Sequence, residues 1–183
     1  EHMGFQSLRV INNDTIEPGG GFPLHPHRDM EIFTYVIEGQ LEHKDSLGNG
    51  SVIEAGNLQY MSAGSGIRHS EFNPSAKDQT KLYQIWLQPN STGGQPRYAE
   101  KPLLSAEHLD PLTLLFSKEG QHGSTAIRQH ANIWFGSLKS DESQDVITPP
   151  SVPHAWLQVI TGELTLLDTT VKEGDGLQIS DAP

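Results

Sequence analysis

Cysteine is absent from all 183 residues. That single absence removes disulfides, thiolate nucleophiles, zinc–thiolate sites and iron–sulfur clusters together, so any metal must be held by His, Asp and Glu. Cationic residues are also scarce, 12 Lys and Arg against 23 Asp and Glu, for a formal net charge of −11. A surface of that sign repels phosphate backbones and anionic lipid heads, which argues against direct contact with nucleic acid or a membrane surface. No apolar run approaches the ~20 residues of a bilayer span. The N-terminus lacks the charged, then apolar, order of a secretory signal. The expectation is a cytoplasmic acidic protein.

Helical periodicity is equally scarce. The one candidate is a single turn in "SAEHLDPLTLLF", with Ser105 as N-cap and His108 at N3, and Pro111 limits it. What the chain has instead is 18 glycines and 12 prolines between short runs rich in Val, Ile, Leu, Tyr and Trp. "EIFTYVIEG", "QLEHKD", "GSVIEAG", "NLQYMSAG", "IRHSEFN" and "KLYQIWLQP" all read as strands. The fold class is therefore all-β.

One β unit occurs twice. Val36-Ile37-Glu38-Gly39-Gln40-Leu41 aligns with Val159-Ile160-Thr161-Gly162-Glu163-Leu164, and Glu54-Ala55-Gly56 with Lys172-Glu173-Gly174. Leu58-Gln59 then falls on Leu177-Gln178. Two small barrels or sandwiches in tandem follow from such a repeat, with the polar stretch Asn90 to Pro102 between the copies.

The chemistry concentrates in "GGGFPLHPHRDMEIFTYVIEG". Residues i and i+2 of a strand share a face, so His25 and His27 project together while Pro26 turns away. Proline cannot donate to a ladder, which places this stretch at an edge or a mouth. In "GIRHSEFN", His69 and Glu71 repeat the same spacing. If the two strands face each other across a barrel, three imidazoles and one carboxylate converge. Such a set suits iron, manganese, nickel, copper or zinc and leaves octahedral positions open for substrate and dioxygen.

These residues carry a family resemblance. G-x5-H-x-H-x3-E, from Gly19 through His25, His27 and Glu31, resembles the first cupin motif. Gly56 through Gly66, His69 and Asn73 resembles the second, two residues longer than usual before the histidine. "HPHRDMEIFTYVIEG", "AGNLQYMSAGSGIRHSE", "MGFQSLRVIN" and "HAWLQVITGELTL" look like the pirin family, in particular its bacterial members with quercetin 2,3-dioxygenase activity. The resemblance implies a bicupin of two tandem jelly-roll barrels. A metal-binding cupin would span 1–97, a linker 98–109, and a metal-free cupin 110–183. Thr148 and Pro150 stand where His25 and His27 have their counterparts, so one metal site is implied. The resemblance also implies a segment ahead of Glu1 and a last strand beyond Pro183.

Carried over, the metal ligands are His25, His27, His69 and Glu71, and the metal is iron in most pirins. Glu31 shares the parity of His25 and His27, and in many cupins it binds metal. The pirin pattern gives that role to Glu71. His43 has no partner in sequence and reads as a solvated strand residue. Tyr35, Tyr83, Trp86, Trp134 and Trp156 read as barrel core. The glycines of "SAGSGIRH" serve tight turns, since a strand and not a helix follows them.

The implied activity is a dioxygenase that opens the heterocycle of a flavonol, with Glu71 as the base that takes the 3-hydroxyl proton. The alternative is a non-catalytic, redox-sensing iron protein that binds a protein partner. Metal-bearing sugar-phosphate isomerases form a third class, but they gather cations at the metal. Here Arg28 and Arg68 are turned away by i±1 parity.

Overall fold

The computed structural model describes residues 4–103, 112–139, 143, 154–166 and 168–180. Its contacts divide the chain into two compact units, Glu1–Ser140 and Asp141–Pro183. The expected all-β class holds: among the described residues a single 3-10 turn, Gln121–Gly123, is the only helical element. No helix there is long and apolar enough to cross a membrane. The expected turn from Ser105 to Pro111, together with Thr148 and Pro150, lies outside the described residues.

The first unit is built from β1 (Leu8–Ile16), β2 (Gly21–His27), β3 (Glu31–Glu38), β4 (Gln40–Asp45), β5 (Gly50–Glu54) and β6 (Asn57–Ser62). It continues with β7 (Ile67–Phe72), β8 (Thr80–Leu87), β9 (Arg97–Pro102), β10 (Thr113–Ser117), β11 (Thr125–Ala126) and β12 (Ile133–Phe135). One sheet has the order β1-β8-β3-β6-β9, a second β2-β7-β4-β5, and a small third β11-β10-β12.

The alternation of side chains explains how the sheets stack. Val36 and Leu82 of the five-stranded sheet pack on Leu41 and Ile53 of the four-stranded sheet. Ile32 and Met61 meet Ile67 in the same interior. The alternating neighbours on the same strands, Phe33, Leu58, Tyr60 and Leu87, point the other way and join Leu115, Phe116 and Ile127 in a second core. The five-stranded sheet is thus covered on both faces, which is why β3 reads as an almost unbroken apolar run rather than a strict alternation.

That second core bears on the division of the chain. Residues 98–102, given to a linker on their polar composition, belong to β9, which pairs with β6 from Asn57↔Pro102 to Ser62↔Arg97. An edge strand needs few apolar residues, because it is packed on one side only. Strands β10 to β12 also fall in the first unit.

The second unit contains β13 (His154–Gln158), β14 (Glu163–Leu166), β15 (Thr169–Lys172) and β16 (Gly176–Ser180). Its ladders are β13 with β16 and β14 with β15. The sequence repeat is a structural repeat down to its hydrogen bonds. Ala55 N–H donates to Gly39 O at 3.0 Å and Gly56 N–H to Val36 O at 2.8 Å. Their aligned counterparts do the same, Glu173 to Gly162 at 2.8 Å and Gly174 to Val159 at 3.0 Å. All four glycines sit at positive φ, between 75° and 86°, where a side chain is strained.

Candidate metal centre

His25, His27, His69 and Glu71 come from two strands that are hydrogen-bonded neighbours, not from strands facing across the barrel. β2 pairs antiparallel with β7, and His25 is the register partner of His69. A register shift between Phe22 and His25 aims the two β2 histidines at the β7 histidine. Upstream of it, Gly21 allows the two backbones to touch: a Cβ there would collide with the Glu71 carbonyl oxygen.

The three imidazoles converge. Ring centroids are 4.4 Å apart for His25 and His69, 4.8 Å for His25 and His27, and 4.9 Å for His27 and His69. One ligating nitrogen from each falls within 4.8 Å of the others. His25 Nδ1–H donates to the Pro23 carbonyl at 2.7 Å, which leaves Nε2 with a free lone pair. His69 is 1% exposed and its Nε2 is buried without a partner. Burial, then the neighbouring His25, pushes the His27 pKa down to about 4. Burial, followed by the like charges of the other histidines, takes His69 to about 3. Both imidazoles are neutral at neutral pH and have lone pairs to give.

Glu71 lies deeper, on the inner side of His69. Its Oε1 is 4.0 Å from His69 Nδ1, and the two form a second cluster with His43 rather than with His25 and His27. The carboxylate is 1% exposed. Gln84 Nε2 donates to its Oε2 at 2.9 Å and Gln59 Nε2 to its Oε1 at 3.5 Å. Burial holds its pKa above the usual carboxylate range, and the amides only partly oppose this. The unpartnered His69 Nε2, grouped with ligating nitrogens of His25 and His27, is a donor set that a divalent cation satisfies, and Glu71 stands on the Nδ1 side of His69. The residues present therefore fit a metal.

Glu31 belongs elsewhere. It is fully buried on the opposite face of β3, where Tyr60 and Ser62 hydroxyls and the Arg128 backbone N–H donate to its carboxylate. Strand parity relates residues of one strand only, and Glu31 stands on β3 while the histidines stand on β2. His43 reverses its expectation. It is fully buried, because β4 is an inner strand of its sheet and turns Leu41, His43 and Asp45 to one side. Its Nδ1 is 3.4 Å from His69 Nδ1 and its Nε2 3.4 Å from Asp45 Oδ2. Of the aromatics, Tyr83 is buried, but Trp134 is 48% exposed. Trp86 meets His27 edge-on at 5.0 Å and packs beside Ile32, Met61, Ala63 and Ile67, with Met30 on the same wall. Arg28 and Arg68 are exposed, as their parity requires. Gly64, at φ 48°, makes the tight turn ahead of β7.

Gln59 and Gln84 do not stand out in the sequence. Their signal is a weak one, a glutamine among apolar residues in "NLQYMS" and "KLYQIWL" at parity with Met61 and Trp86.

A two-sheet β-barrel that gathers three histidines and a glutamate on adjacent strands defines a metal-binding protein of the cupin class. Family models agree: Pirin matches residues 1–87 and Quercetinase C-terminal cupin domain residues 114–183. The chain is 44% identical over 179 residues to the quercetin 2,3-dioxygenase of Escherichia coli K12, covering 98% of this chain and 76% of that one. A pirin-like protein of Caulobacter vibrioides is 42% identical over 143 residues, 78% of this chain and 61% of the other. The solved structure of a bacterial pirin from Escherichia coli in complex with nickel(II) superposes with a TM-score of 0.89 at 43% identity, over 98% of this chain and 76% of that one. The chain belongs to the pirin family, and its fold is that of a bicupin.

Proposed function

We propose that this protein is a metal-dependent dioxygenase that opens the heterocycle of a flavonol such as quercetin, with one divalent metal, iron in the cell, held by His25, His27, His69 and Glu71. The observation that carries the reading is the partnerless, buried His69 Nε2 within a cluster of three imidazoles. The activity named for the Escherichia coli relative supports the substrate class. We assign the metal-binding barrel to the N-terminal part of the chain, extended through β9 to Pro102, and a metal-free cupin to the C-terminal part that the second family model matches, 114–183.

A divalent metal held by these residues would supply Lewis acidity toward a substrate hydroxyl oxygen. The protein supplies the rest. Glu71, with a pKa raised by burial, is suited to take the proton of the substrate 3-hydroxyl and hold it in the barrel. Gln84 holds Oε2 at 2.9 Å, whereas Oε1 has only the stretched 3.5 Å contact from Gln59 and is the oxygen better placed to accept. Trp86 and Met30, the partly exposed members of the apolar cluster beside His27, are suited to pack on a flat aromatic ring. Dioxygen then adds to the deprotonated flavonol, two ring bonds break, and carbon monoxide leaves with the opened ester.

The test is anaerobic metal analysis of protein from its own host, followed by quercetin and oxygen consumption by the iron-loaded form. Stoichiometric metal and oxygen-dependent loss of flavonol absorbance, both gone in His69→Ala, are expected. Glu71→Gln with full turnover refutes the base assignment. Stoichiometric metal with no turnover across a panel of flavonols refutes the enzyme and points to a regulatory protein.

A further inference from the structure

We infer that His43 and Asp45 form a proton-ordering relay that fixes the tautomer of His69 and so prepares it to bind metal through Nε2; this rests on the metal reading above. The relay is visible in a chain of contacts that runs from the β4–β5 turn to His69. Asp45 closes the β4–β5 turn: its Oδ1 accepts from Leu47 N–H at 2.9 Å and Asn49 N–H at 3.0 Å, and its Oδ2 from Asn49 Nδ2 at 2.7 Å. The same Oδ2 lies 3.4 Å from His43 Nε2, and the side chains of both residues are fully buried. His43 Nδ1 lies 3.4 Å from His69 Nδ1. His43 is kept in plane by Tyr98, whose ring lies 4.9 Å away at 30° and whose hydroxyl is tied to Ser51 and Glu100.

Donor and acceptor counting then leaves one arrangement. The Asp45 carboxylate can only accept, so the hydrogen of neutral His43 sits on Nε2 and its Nδ1 is bare. Two facing Nδ1 atoms share one hydrogen, so His69 must carry it on Nδ1. That leaves His69 Nε2 as a lone pair, and this is the atom that is buried without a partner. The side chains of His43 and Asp45 are fully buried and do not face solvent. They are positioning residues, acting through His69, as partners of a ligand's second nitrogen do at other metal sites.

The relay makes a distinction that packing alone does not. Asparagine places its carbonyl oxygen where the His43 Nδ1 stands and can accept from His69, whereas leucine fills the space and cannot. The experiment uses the full chain, stripped with chelator and titrated with Ni(II) against a competing indicator, with folding followed by circular dichroism. His43→Leu is expected to weaken Ni(II) binding about 10–100-fold, and His43→Asn to restore most of it. Asp45→Asn keeps the turn acceptor but presents an amide donor to His43, which reverses the order of hydrogens. Nitrogen-15 NMR of the metal-free protein reads that order directly: His69 protonated on Nδ1 in the wild type, and on Nε2 in Asp45→Asn. Equal affinity of His43→Leu and wild type overturns the relay, and so does a wild-type His69 protonated on Nε2. Absence of Ni(II) binding by the wild type overturns the metal reading on which it rests.

Discussion

Replacing Glu71 by glutamine should stabilise the metal-free protein and destabilise the metal-loaded one. Glu71 is 1% exposed and has one good hydrogen bond, from Gln84 at 2.9 Å; the Gln59 contact is stretched to 3.5 Å. Gln59 Oε1 is itself buried without a partner. A glutamine at 71 keeps an acceptor for Gln84 and carries no charge; turning the Gln59 amide over to meet the new NH2 only exchanges its orphaned oxygen for an orphaned NH2. Removing the buried charge gives about 1–2 kcal/mol of added stability, or about 2–8 °C in Tm for a chain of this size.

With metal the sign reverses. At a metal concentration of 100 Kd the wild type gains about 2.7 kcal/mol. If loss of the carboxylate ligand weakens binding about 100-fold, the variant gains only about 0.4 kcal/mol. Urea unfolding of chelator-stripped and Ni(II)-loaded samples gives all four values, and the two proteins should exchange rank between conditions. A stripped variant less stable than the wild type refutes the account of the buried carboxylate. An undiminished metal increment refutes Glu71 as a ligand.

Other perturbations test the neighbouring claims. Because His27 and His69 titrate at about 4 and about 3 when folded against an ordinary value of 6.5, the unfolded chain binds more protons between those limits. Stability of the stripped protein should therefore be fully present above pH 6.5 and fall as the pH drops toward 4, by up to about 1.4 kcal/mol per unit for each histidine; a flat urea midpoint over that window refutes it. Gly21→Ala forces β2 off β7 at the Glu71 carbonyl and should lose about 2–3 kcal/mol along with metal affinity. The control Gly48→Ala, at φ 91° with open space around it, should lose about 1 kcal/mol and bind metal normally. Glu31→Gln should lower stability by about 1–3 kcal/mol while metal stoichiometry by elemental analysis stays that of the wild type, since its partners are Tyr60, Ser62 and Arg128.

Much of the site is legible in the residues alone. The i, i+2 spacing of His25 with His27 and of His69 with Glu71 is a property of one extended strand each, and local periodicity carries it. The repeat is legible for the same reason, because Gly39 and Gly162 answer the same backbone demand, and so do Gly56 and Gly174. His43 is not. Its neighbours Gln40, Glu42 and Lys44 are polar, and a histidine among them looks solvated until the sheet order makes β4 an inner strand. The edge strand β9 is hidden behind its polar composition in the same way.

Strand content, the duplication, the absence of thiolate chemistry and the identity of the histidine pairs can all be read along the chain. All of these follow from composition and from spacings of a few residues along one chain segment. Only the tertiary structure decided that β2 and β7 are neighbours, that Glu71 lies on the His43 side of His69, and that Glu31 faces the outer core. Those are questions of which strand lies beside which, and of which sheet face is covered. Pairing between segments some 40 residues apart leaves no local trace, because it is fixed by how the whole barrel closes over its interior.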